Sequence, residues 1–63
     1  MGYKIKEARK ELHMTQEELS KKSGVSRTII SGLETGVITT TTTGTLLKIA
    51  NAMGKEVSEI FLG

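Results

Sequence analysis

Residues Thr15–Gly36, TQEELSKKSGVSRTIISGLETG, read as two short helices joined by a tight turn at Gly24. Thr15 with Glu18 three residues later forms a capping box, in which each residue satisfies a backbone N–H of the other. Met14 and Leu19 are placed as a hydrophobic staple across that start. The second helix is therefore expected from about Gln16 to Lys22, with Leu19 as its chief inward residue. Gly24 follows where a left-handed backbone closes a helix cheaply. Ser26 caps a third helix, Val25 and Ile30 form a second staple, and Gly36 ends that helix at about Thr35. A hairpin this small cannot fold alone, so the flanking segments must support it.

Upstream, Ile5, Ala8 and Leu12 recur at helical spacing and predict a first helix over 3–13. Downstream, Thr42 caps a fourth helix over roughly 43–53, with Leu46, Ile49, Ala50 and Met53 facing inward and Gly54 as the stop. Between them, VITTTTT at 37–43 favours extended backbone. One short strand has no partner here, so the segment reads as a loop. The final stretch, VSEIFLG, reads as a short fifth helix from about Ser58, with Val57, Ile60 and Phe61 or Leu62 closing the core. Five short helices, no proline and no internal repeat predict an all-α fold, a compact bundle forming one domain over residues 1–63.

Composition narrows the possibilities. A chain of 63 residues buries only about 60% of its unfolded surface, so its core must be efficient or be extended by a second subunit. Cysteine is absent, which removes disulfides and thiolate metal sites and fits a reducing compartment. No apolar run suggests a signal peptide or a membrane span, so the cytoplasm is the default location. The net charge is +2 but is unevenly placed. Residues 1–27 carry seven basic side chains against four glutamates, a net of +3, while residues 28–63 carry two against three, a net of −1. A positive N-terminal half suits phosphate, and an ordinary solvated surface explains it nearly as well.

On a helical wheel at about 100° per residue, Ile29, Ile30, Leu33 and Glu34 share one arc. Arg27, Thr28, Ser31, Gly32 and Thr35 share the other. That outer face is narrow and free of bulky apolar groups, a shape able to enter a major groove about 12 Å wide. By itself the wheel is equally compatible with a plain solvated face.

The stretch MTQEELSKKSGVSRTIISGLETG resembles the helix-turn-helix of the lambda-repressor/Cro-like family, also called the Xre type. The matching residues are Thr15-Gln16, Leu19, Gly24-Val25-Ser26, Ile30, Leu33-Glu34 and Gly36. The likeness continues upstream in Ile5-Lys6-Glu7-Ala8-Arg9 and downstream from Leu46 to Gly54, leaving only the threonine loop unlike the family. The resemblance implies a hairpin at about 15–35 with a recognition helix at about 26–35. It implies that Arg27, Thr28 and Ser31 address bases, while Thr15, Gln16 and Thr35 address phosphates. Ile29 lies at the edge of the wheel, where partial burial is favoured over contact with a thymine methyl. Arg9 and Glu34 match a structural pair linking the first helix to the end of the third.

Three departures from the family pattern stand out. Gly32 occupies a position where many relatives have a long base-reading side chain, and glycine inside a helix costs about 1 kcal/mol relative to alanine. Close approach to DNA would be one reason for it. The loop after Gly36 offers only hydroxyls and backbone amides where relatives offer Lys, Arg or Asn, so a shallower salt dependence is expected. No effector or dimerisation domain follows residue 63, so the sequence is expected to be the DNA-binding unit alone or an excised form of it.

No catalytic residues, cofactor or metal site are expected, since His13 is the single histidine and no nucleophile–base pair can be assembled. His13 reads as a helix-end residue, where a cation suits the dipole. The resemblance implies double-stranded DNA as partner and a homodimer on a palindromic operator, with half-sites about 34 Å apart. Ile60, Phe61 and Leu62 are the expected dimer contact, because a short helix cannot turn three consecutive apolar residues inward. The expected function is a sequence-specific transcriptional regulator, a repressor that blocks polymerase. The alternative is a protein-interaction module on the same fold, an antitoxin or coactivator with an unknown protein partner.

Overall fold

The computed structural model describes residues 2–62, with side-chain surroundings for residues 3–61. The chain runs β1 (Gly2–Tyr3), α1 (Ile5–Glu11), α2 (Gln16–Ser23), α3 (Arg27–Thr35), α4 (Thr43–Ala52), α5 (Val57–Ile60) and β2 (Phe61–Leu62). Five helices make the architecture, and the fold is all-α and lambda-repressor-like. The one extended pairing among the described residues is a two-residue antiparallel ribbon, with Gly2 opposite Leu62 and Tyr3 opposite Phe61.

The expected caps are present. Thr15 accepts the Glu18 N–H at 3.0 Å, and the Glu18 carboxylate accepts the Thr15 N–H at 2.8 Å. Ser26 and Thr42 likewise accept N–H groups from the first turns of α3 and α4. Gly24 and Gly36 close α2 and α3 at φ 76° and 87°, a region open to glycine without steric penalty. Local backbone chemistry thereby fixes where both helices of the hairpin start and stop.

The core gathers one face of each helix: Ile5 and Ala8, Leu19, Ile30 and Leu33, Leu46, Ile49 and Ala50, and Ile60, joined by Val25 and Met53. Ile5, Leu19, Ile30, Ile49 and Ile60 are fully buried, and each such burial contributes about 1.5–3 kcal/mol over leaving the side chain in water. Met14 packs against this cluster from before α2, as its place in the staple requires.

Three expectations are corrected. The first helix is shorter than 3–13 because Tyr3 joins the ribbon and His13, at φ 54°, turns the chain left-handed. Leu12 falls beyond the helix and is 43% exposed, so it does not join the core. The fifth helix stops at Ile60, where Phe61 becomes extended at φ −112° and ψ 123°. Pairing with the N-terminus drives that switch: the Lys4 N–H donates to the Ile60 carbonyl at 2.7 Å, and the Tyr3 and Phe61 rings lie 5.5 Å apart.

Candidate nucleic-acid interface

Arg9 on α1 organises the surface from beneath. Its Nε and Nη2 donate to the two carboxylate oxygens of Glu34 at 2.9 and 3.1 Å, and its Nη1 donates to the Met14 carbonyl at 2.8 Å. Gln16 Nε2 donates to Glu34 Oε1 at 3.0 Å. One carboxylate therefore ties together α1, the start of α2 and the end of α3. The Glu34 side chain is only 3% exposed, yet every buried side-chain polar atom among the described residues has a partner. Burial alone would raise the Glu34 pKa, but hydrogen bonds from Arg9 and Gln16, with the charges of Arg9 and Lys6, hold it below the ordinary value. The Arg9–Glu34 pair expected from the sequence is present.

Beside this network, sharing Gln16 with it, lies an open groove lined by Gln16, Arg27, Thr28, Ser31, Gly32, Thr35 and Val37. Arg27 and Thr28 are exposed, Ser31 is half-buried, and Arg27 enters no ion pair among the described residues. The three residues expected to address bases thus share one face with two of those expected to address phosphate. Thr15, the third of the latter, lines a neighbouring recess with Lys10, His13, Gln16 and Arg27. The Thr35 hydroxyl donates back to Ser31 O at 2.9 Å, so it must rotate away from its helix to meet a phosphate oxygen.

Gly32 differs from expectation. It is buried, because Ile38 folds back over it, and the Ile38 N–H donates to the Gly32 carbonyl at 2.9 Å. A Cβ at residue 32 would lie 2.5 Å from Ile38 Cδ1 and 2.6 Å from Cγ1. Contact within the chain accounts for this glycine, without invoking close approach to DNA. Ile60 is also corrected: at 0% exposure it is a core residue and presents nothing to a second subunit. Phe61 is 41% exposed, while the Leu62 side chain lies outside the described residues. Ile29 is 36% exposed, at the edge the wheel gave it.

The surface also includes residues not singled out in the sequence. Lys10 reaches the α2 start because the left-handed turn at His13 folds α1 back beside it. No short-range pattern in the sequence marks that turn. Val37 joins the groove through the Gly32–Ile38 contact, which no local pattern announces.

A model of the helix-turn-helix family matches residues 5–60. The chain belongs to that family. Its Xre, lambda-repressor-like type comprises DNA-binding regulators and is generally non-enzymatic. No characterised protein and no solved structure gave a match. As a helix-turn-helix chain it is a DNA-binding regulator, and no described helix is long and apolar enough to cross a membrane.

Proposed function

We propose that this chain is a sequence-specific repressor that binds a palindromic operator as a homodimer in the cytoplasm. Residues 1–63 act as one DNA-binding unit, the hairpin at 15–35 is its reader, and α3 is the recognition helix. The observation that carries this reading is the groove itself. Arg27, Thr28 and Ser31 stand free on one face of α3, and Gln16 is held beside them by the same carboxylate that fixes Arg9. Gln16 is thus placed before DNA arrives, which spares part of the about 0.5–1.5 kcal/mol that immobilising a rotamer-rich side chain costs on binding.

Arg27 donates a bidentate pair to guanine O6 and N7, Thr28 bonds a base or covers a thymine methyl, and Ser31 reaches a base one turn on. Thr15 and Gln16 at the α2 start, and Thr35 at the α3 end, address the backbone. Phe61 and Leu62 are the self-contact that remains after Ile60 is assigned to the core.

Selection of bound duplexes from a random pool tests the proposal. A palindromic consensus with half-sites about one helical turn apart is expected. Failure to bind any duplex above non-specific levels at low salt favours the protein-interaction reading.

A further inference from the structure

Val37 is 83% exposed, more than any other large apolar side chain among the described residues. A single exposed valine is ordinary on a protein surface. Its setting is not. The Gly36 and Ile38 N–H groups on either side both donate to the Gly32 carbonyl, at 3.0 and 2.9 Å. One residue further, the Thr39 carbonyl accepts the Tyr3 hydroxyl at 3.3 Å. Ile38 is seated over Gly32, so the chain at residue 37 is fixed on both sides while its side chain faces outward. It opens onto the groove of Gln16, Arg27, Thr28, Ser31 and Thr35, and is the one wholly apolar side chain there.

We infer that Val37 is a specificity-determining residue of the DNA interface, packing its isopropyl group against a thymine C5-methyl in the major groove. The inference rests on the reading of this groove as the DNA-binding surface. That methyl is the one apolar group on the base edges of the major groove, and a fixed, exposed valine is its natural complement. Removing one methyl-sized contact from water corresponds to about a fourfold change in affinity. Ile38 and Gly32 are positioning residues for this contact, and the loop that lacks Lys, Arg and Asn gains a reader in place of a phosphate clamp.

The test uses the duplex enriched by the full chain from a random pool, with each thymine replaced in turn by deoxyuridine, which deletes only the methyl. Wild type is expected to lose about fourfold in affinity at one position per half-site. Val37→Ala is expected to become insensitive at that position while keeping its other preferences. Because Val37 is so exposed, the variant should melt with wild type, and a melting curve verifies that. A Val37→Ala profile identical to wild type at every thymine overturns the inference, as does equal weakening on all duplexes with the profile intact. If wild type enriches no sequence at all, the DNA reading itself falls and takes this inference with it.

Discussion

The Arg9 guanidinium and the Glu34 carboxylate meet through two parallel hydrogen bonds of 2.9 and 3.1 Å, with both side chains nearly out of water. Removing one partner of such a pair strands the other and costs about 3–5 kcal/mol. A chain of 63 residues at roughly 0.05–0.15 kcal/mol each has a total stability of that same order. Glu34→Ala is therefore expected to lose a large share of that stability and to melt well below wild type by circular dichroism. Replacing both partners, Arg9→Met with Glu34→Leu, should recover much of that loss, since no charge is then stranded. A Glu34→Ala protein that melts with wild type would show that the pair carries no weight in the fold.

The same carboxylate predicts an acid dependence. The folded Glu34 pKa lies below its ordinary value of 4.5, so the folded state holds its proton less tightly than the unfolded chain does. The sign follows directly: the stabilisation is complete above the ordinary value and is lost as pH falls through the depressed one. Glu18 adds in the same direction, because the Thr15 N–H favours its charged form. Thermal melts of wild type and Glu34→Gln should differ most near neutrality and converge as pH falls through the depressed Glu34 pKa. A gap that stays constant across this range would mean that the charge on Glu34 is not what stabilises the fold.

These relationships were legible in the sequence to different depths. Thr15 with Glu18, Ser26, Gly24 and Gly36 mark boundaries through interactions a few residues long, and those boundaries were read correctly. The Arg9–Glu34 pair spans 25 residues and was accessible only through the family resemblance. The ribbon joining Tyr3 to Phe61 was missed because neither two-residue strand has a pattern of its own. Each exists only because the other end of the chain lies beside it. Gly32 falls on the outer arc of the wheel yet is buried under Ile38, since a wheel shows a helix without the loop that folds over it.

Gly32 and Ile38 supply a prediction whose sign runs against helix propensity. Alanine within a helix is favoured over glycine by about 1 kcal/mol, so Gly32→Ala ought to stabilise an isolated α3. Here the new methyl would meet Ile38 at 2.5, 2.6 and 3.3 Å, the last distance being to the rigid Cβ. The loop must shift as well as the side-chain tip, and overpacking of this kind costs about 1–3 kcal/mol. Gly32→Ala is expected to lower the melting temperature. In an Ile38→Ala background, the same substitution should become neutral or stabilising. A double-mutant cycle without that reversal would mean that Ile38 does not set the requirement for glycine.

Gln16 and Arg27 border one groove but should fail differently when truncated. Gln16 stands at the α2 start, where free N–H groups attract phosphate, and phosphate contacts carry no sequence information. Gln16→Ala is expected to weaken binding equally across an operator and its single-base variants. It should also lower stability by about 1 kcal/mol through the lost bond to Glu34, so binding must be measured well below the melt. Arg27 projects from the first turn of α3 without a side-chain partner among the described residues. Arg27→Ala should leave the melt unchanged and remove about 1–3 kcal/mol of discrimination at one base pair, with a smaller loss on other sequences. Because Arg27 also adds a positive charge to the groove, the salt dependence of binding should become shallower in Arg27→Ala and remain unchanged in Gln16→Ala. Titrations at two salt concentrations against the operator and a set of single-base variants separate the outcomes. Identical profiles for the two variants would overturn the division between reading bases and gripping the backbone.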